Sequence, residues 1–243
     1  MHQLLVALDV PSRARAEQLA ADLSGAIGGV KVGSELFTAE GPPIVSGLQA
    51  AGARVFLDLK FHDIPNTVAS AVRSATRLGV WMMTLHAGGG KPMMKAAVES
   101  ARDTAAASNQ ARPLLVGITV LTSTDQATAA ELGVQGTIED HVLRLTDLAL
   151  AAGLDGVVAS PRELVALRAR FGPDFVIVTP GIRLDGGSAV VTRDDQARTM
   201  TPAEALARGA SYLVVGRPIV AAPNPREAAL HIASGSLLFL RNS

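Results

Sequence analysis

Short runs rich in Val, Ile and Leu recur along the chain, and most are followed by a longer Ala-rich stretch whose apolar residues fall at helical spacing. The strand-length runs are Leu4–Leu8, Gly29–Val32, Arg54–Leu59, Trp81–His86, Leu114–Val120, Gly156–Ala159, Phe175–Thr179 and Tyr212–Val215. Such alternation predicts a parallel sheet built from βα units. About eight units within 243 residues fit a closed (β/α)8 TIM barrel with outer helices, whereas an open doubly wound sheet usually needs fewer strands. Helix punctuation agrees: Pro11-Ser12, Ser160-Pro161 and Thr201-Pro202 each set a capping or first-turn residue before an Ala/Leu-rich segment. The stretch Ala105–Ala111 reads as a helix end and surface loop. Leu184–Asp195, long, polar and Gly-containing between the seventh strand and the next helix, is expected to be a functional lid.

A hydrophobic content of 48% supplies a full core, so residues 1–243 are expected to form one domain. No apolar run approaches the roughly 18 residues a membrane span needs. Met1 to Val10 lacks a basic start and a small-residue cleavage site and reads as a strand, not a secretory signal. The chain has no cysteine, which excludes disulfides, a thiolate nucleophile and Cys-based metal sites, and the expected compartment is the cytoplasm. Lys plus Arg and Asp plus Glu both total 22, so no net field favours nucleic acid or an anionic membrane, and an anionic ligand must be held locally. Aromatics at 3% also leave little for base stacking. The five histidines are scattered with no pair at ligand spacing, so no metal site is expected; His86 ends a strand and can line a pocket, and His62 is a loop residue. Met82-Met83 and Met93-Met94 read as core.

In a barrel of this kind the chemistry gathers at the strand C-termini, which makes polar residues there informative. The first strand runs into Asp9, the second carries Lys31, the third ends Asp58-Leu59-Lys60, the fourth ends Thr84-Leu85-His86, and the eighth runs into Gly216-Arg217-Pro218. Side chains alternate along a strand, so Asp58 and Lys60 share a face about 6–7 Å apart. With Lys31 and the following Asp63, they can form an alternating array of two carboxylates and two ammonium groups that keep one another ionised. The plainer alternative is an internal salt-bridge network closing the barrel end, an expensive way to gain stability. Gly216-Arg217 after the eighth strand and Pro180-Gly181-Ile182-Arg183 after the seventh offer Gly turns and two guanidinium groups where barrels commonly cradle phosphate. Taken singly, each would serve equally well as an ordinary turn.

The run Asp58-Leu59-Lys60-Phe61-His62-Asp63-Ile64-Pro65-Asn66-Thr67 resembles the signature of the orotidine 5′-phosphate decarboxylase family. Leu8-Asp9, Lys31-Val32-Gly33, Leu121-Thr122-Ser123, Thr179-Pro180-Gly181-Ile182-Arg183, Asp195-Gln196 and Val215-Gly216-Arg217-Pro218 follow the family's order across nearly the whole chain. The stretch between Arg183 and Asp195 departs from it by being a few residues longer than in the commoner bacterial members. The resemblance implies loss of CO2 from orotidine 5′-monophosphate to give UMP without metal or organic cofactor. It implies that Lys60 stabilises and protonates the carbanion at C6, that Asp58 lies near the departing carboxylate, and that Lys31 and Asp9 orient the array and touch the ribose. Thr122 is implied to hold the ligand, Ser160 to read the pyrimidine edge, and Arg183, Gln196, Gly216 and Arg217 to hold the phosphate. Asp63, with Ile64 and Thr67, is implied to reach across a homodimer interface into the neighbouring site. Hexulose-phosphate synthase and keto-gulonate-phosphate decarboxylase look similar around Asp-x-Lys-x-x-Asp, but they need an acidic metal ligand on the second strand, where this chain has Lys31. Ribulose-phosphate epimerase is more distant, and a barrel that binds nucleotide without catalysis would be expected to have lost some of these positions.

Overall fold

The computed structural model of the protein describes residues 2–182 and 200–240, with side chains up to residue 234. From the N-terminus the elements are β1 (Leu4–Ala7), α1 (Arg13–Asp22), β2 (Gly29–Gly33), α2 (Ser34–Glu40), α3 (Pro43–Ala50), β3 (Val55–Phe61), α4 (Pro65–Arg77) and β4 (Met82–His86). They continue as α5 (Gly90–Ala107), β5 (Leu114–Ile118), α6 (Gln126–Glu131), α7 (Ile138–Ala151), β6 (Gly156–Val158) and α8 (Leu164–Phe171). The last are β7 (Val176–Thr179), α9 (Pro202–Ala207), β8 (Tyr212–Val215), α10 (Arg217–Val220) and α11 (Pro225–Leu240). Each strand pairs in parallel with its neighbours in sequence, and β8 returns to β1 with Val214 opposite Leu5, closing the TIM barrel.

The alternation of side chains divides the core into two. Outward-facing residues such as Leu4, Val6, Val30, Leu57, Met83, Leu115 and Ile177 pack with the buried faces of the helices. Inward-facing Leu5, Ala7, Phe56, Met82, Val116, Val178 and Val214 fill the lower barrel. Apart from Ala7, each such side chain, fully buried, contributes about 1.5–3 kcal/mol of transfer free energy. Trp81 and Tyr212 meet edge-on at 5.2 Å at the bottom, and the Arg54 guanidinium lies 4.3 Å from the Trp81 ring centroid. Apolar filling below leaves only the upper, C-terminal end of the barrel for polar groups.

Two of the expected helix caps form. Ser12 accepts the Arg15 amide at the start of α1, and Thr201 forms a capping box with Glu204 at the start of α9. The third does not: α8 starts at Leu164, and Ser160 caps nothing. Instead the Glu163 carboxylate accepts the Ser160 amide at 2.8 Å. The expected break after α5 is present, with Asn109 in the left-handed region at φ 51°. Strand ends agree with the sequence reading to within about two residues. β5 is the shorter by two, because Thr119 turns its hydroxyl to the Val158 carbonyl at 3.0 Å instead of continuing the ladder. β3 is the longer, running on to Phe61 through an irregular segment. Among the described residues no helix is long and apolar enough to cross a membrane.

Candidate active site

Inward parity carries the same strands that fill the lower barrel upward into charge: Leu5 and Ala7 lead to Asp9, Phe56 leads to Asp58, and Met82 leads to Thr84 and then His86. On β2, Lys31 lies opposite Ala7 on one side and Phe56 on the other. Its ammonium stands 3.4 Å from Asp9 Oδ1 and 3.6 Å from Asp58 Oδ2, while Lys60 Nζ donates to Asp58 Oδ2 at 2.9 Å. The result is a chain of alternating charge, Asp9, Lys31, Asp58, Lys60. Exposure grades along it: the Lys31 and Asp58 side chains are 13% and 12% exposed, and Lys60 at 36% and Asp9 at 54% open towards solvent. Mutual pairing of this kind offsets the desolvation of the two inner groups.

Glycine clears the space around Lys31. A methyl at Gly33 would stand 3.2 Å from Lys31 Nζ and 3.5 Å from Asp9 Oδ1, so any side chain there presses on the array. Gly216, at the end of β8, lies beside Asp9 as well, its notional methyl 3.6 Å from Asp9 Oδ2. Arg217 follows as the exposed first residue of α10.

Asp63 is not in the array. Within the chain it is exposed, and its Oδ1 accepts the Ile64 amide at 2.6 Å. Asp9 supplies the second carboxylate. The reason is the turn between β3 and α4: His62 to Thr67 all lie at the surface, with Ile64 65% exposed, and the extended backbone of Ile64 leads straight into Pro65 at the helix start. Thr67 lies in the first turn of α4 on that surface, and Thr122 is half-buried in the loop after β5. Ser160, 1% exposed just beyond β6, keeps its hydroxyl without a partner among the described residues. Arg183, Gln196 and the expected lid Leu184–Asp195 lie outside the described residues.

Two features of the site were not anticipated. The His62 and His86 rings stack at 5.0 Å beside the array. Burial, followed by the nearby His62 and Lys60, holds the His86 imidazole below its ordinary value, against a smaller opposing pull from Asp58. The other is Thr84, wholly buried, which donates to Asp58 Oδ1 at 2.9 Å and accepts the Lys60 amide at 2.8 Å. Both Thr84 and His86 stand at the polar end of the fourth strand in the sequence, but the bonds of Thr84 to Lys60 and Asp58 cross to β3 and leave no local pattern. Among the described residues no three His, Cys, Asp or Glu side chains come together as a metal site.

The sequence model of the orotidine 5′-phosphate decarboxylase / HUMPS family matches residues 2–232. An orotidine 5′-phosphate decarboxylase of Moorella thermoacetica is 54% identical over 233 residues, covering 96% of this chain and 91% of that protein. One from Halorhodospira halophila is 52% identical over 232 residues, covering 96% and 94%. The crystal structure of orotidine 5′-phosphate decarboxylase from Lactobacillus acidophilus superposes with a TM-score of 0.82 at 35% identity, covering 96% of this chain and 98% of that one. With the match running from ahead of the first strand into the last helix, the chain belongs to the orotidine 5′-phosphate decarboxylase / HUMPS family.

Proposed function

We propose that the protein is an orotidine-5′-phosphate decarboxylase, a carboxy-lyase that converts orotidine 5′-monophosphate to UMP in pyrimidine biosynthesis, and that the one barrel domain does so without metal or organic cofactor. The observation that carries the reading is the ammonium of Lys60, held 2.9 Å from Asp58 at the open end of a barrel of this family. The reaction breaks the bond between C6 and its carboxylate and leaves the electron pair on C6, in the plane of the pyrimidine ring, where no π-system can delocalise it. Electrostatic stabilisation must then replace an electron sink, and a fixed cation beside C6 supplies it. Lys60 then passes a proton from Nζ to C6, completing UMP, and regains it from water. Asp58 holds Lys60 in place and lies near the departing carboxylate.

Lys31 and Asp9 orient the array and meet the ribose hydroxyls. The Ser160 hydroxyl, unpartnered among the described residues, is suited to the pyrimidine edge, and Thr122 to holding the ligand. Gly216 and Arg217, with Arg183 and Gln196, grip the phosphate. Binding energy from that remote group is available to lower the barrier at C6. The exposed strip Asp63, Ile64 and Thr67 is suited to a second copy of the chain, with Asp63 entering the partner's array. A chain with no cysteine suits the reducing cytoplasm. A metal-assisted sugar-phosphate reaction, the other branch of the family name, is disfavoured by Lys31, whose ammonium occupies the space between Asp9 and Asp58 and repels a divalent cation.

The test follows ultraviolet absorbance of orotidine monophosphate mixed with the protein in excess chelator, since loss of the ring carboxylate changes the chromophore. Turnover should persist in chelator, and Lys60→Ala should abolish it while UMP still binds through contacts elsewhere. Near-parent turnover by Lys60→Ala removes Lys60 from the chemistry, and complete loss on chelation favours the metal-dependent alternative.

A further inference from the structure

Between β3 and β4 the ladder is interrupted: Leu57 lies opposite Met83, but the next pair is Phe61 opposite Leu85. Asp58, Leu59 and Lys60 therefore share one residue of β4, Thr84. Two extra residues in one strand bend it and leave backbone groups without ladder partners. The distortion is concentrated at Lys60, whose φ of 52° lies in the left-handed region. That conformation costs a non-glycine residue on the order of 1–3 kcal/mol and persists only where the surroundings enforce it. Two extra residues keep the alternation in phase, so Lys60 stays on the inward face with Asp58, but its backbone is held out of the strand conformation.

One hydroxyl spans the gap. Thr84 Oγ1 accepts the Lys60 amide at 2.8 Å, replacing a ladder carbonyl, and so must donate its single proton onward to Asp58 Oδ1 at 2.9 Å. The other oxygen of the same carboxylate takes the Lys60 ammonium at 2.9 Å. Both ends of Lys60 are thus tied into one closed ring, backbone through Thr84 and side chain through Asp58. Thr84 is 0% exposed, so water has no access to stand in for it.

We propose that Thr84 is a positioning residue for the reaction at Lys60, its hydroxyl holding the lysine backbone in the left-handed conformation and the Asp58 carboxylate in the orientation that meets the ammonium. The inference rests on the proposed role of Lys60. A hydroxyl acting through Lys60 and Asp58 affects the chemical step, whereas ground-state binding of nucleotide depends on groups elsewhere in the mouth.

The experiment compares Thr84→Val, which keeps the shape and loses the hydroxyl, with Thr84→Ser, which keeps the hydroxyl, and with Lys60→Ala. Sites are counted by UMP titration. Misplacement of a reacting group by about 1 Å costs up to roughly 100-fold, so kcat per UMP-binding site should fall on the order of 10- to 100-fold in Thr84→Val. KM for orotidine monophosphate should stay within about threefold, and Thr84→Ser should return kcat to within about threefold of the parent. If Thr84→Val does not fold, Thr84→Ala carries the same comparison. Thr84→Val with near-parent kcat per site, or a loss fully explained by fewer UMP-binding sites, overturns the inference. So does Thr84→Ser as slow as Thr84→Val. An active Lys60→Ala would instead overturn the underlying role of the lysine, which keeps the two failures apart.

Discussion

Replacing Asp58 by Asn keeps an oxygen to accept the Thr84 hydroxyl but removes the charge and sets an NH2 donor, in place of an acceptor, against Lys60. Asp58 Oδ2 lies 2.9 Å from Lys60 Nζ and 3.6 Å from Lys31 Nζ. At an effective dielectric near 20 these separations give gross attractions of about 6 and 5 kcal/mol. Two effects oppose them. Holding a carboxylate that is only 12% exposed costs several kcal/mol of desolvation, roughly speaking. Lys60, with 36% of its side chain exposed, is screened by solvent, which brings its pair with Asp58 towards the modest worth of surface pairs. Lys31 also retains Asp9 at 3.4 Å after the change. The net loss is therefore about 2–3 kcal/mol, a fall of roughly 4–12 °C in Tm for a domain of this size. Thermal unfolding followed by circular dichroism checks it, with Asp103→Asn as the comparison. Asp103 also pairs with a cation, Arg102, at 3.0 Å, but its side chain is 69% exposed; its loss should cost less than about 1 kcal/mol. Equal shifts in the two variants, or an Asp58→Asn protein as stable as the parent, would refute the reasoning that the array is net stabilising without nucleotide.

His86 gives a pH dependence. Its imidazole is held below the ordinary 6.5 by burial, then by His62 and Lys60, with Asp58 opposing. Between the lowered value and 6.5 the unfolded chain binds the extra proton, so stability rises with pH through that window and this contribution levels off above it. Urea midpoints taken across the window should show the rise in the parent and a smaller one in His86→Gln; identical slopes would remove His86 as the source. The proposed exchange of Asp63 across a dimer predicts complementation: Lys60→Ala and Asp63→Ala proteins, each impaired alone, should on unfolding and refolding together recover about a quarter of parent activity, because half the dimers are mixed and each mixed dimer has one intact site. No recovery, with mixed dimers demonstrated by mass, would confine Asp63 to its own chain.

The barrel was legible because the repeat of strand-length apolar runs and Ala-rich helical stretches is a local property, set by which residues bury well on a strand or along a helix face. The same holds for the caps at Ser12 and Thr201, whose hydroxyls bond amides three residues away. Alternation sets Asp58 and Lys60 on one face from the sequence alone, and Asp9 and Lys31 are legible as polar residues on the first two strands, since side-chain direction follows from position in a strand. What the sequence left open depended on groups distant in the chain. Asp63 follows Lys60 by three residues, yet the surface turn ahead of α4 carries it away, and Asp9, from another strand, takes its place beside Lys31. Ser160 has the neighbours of a helix cap, yet α8 begins beyond it and its buried hydroxyl has no partner among the described residues. The left-handed Lys60 had no sequence signal at all, because lysine does not favour that backbone. Only the mismatch in length between β3 and β4, and a threonine 24 residues away that bonds across it, hold the residue there.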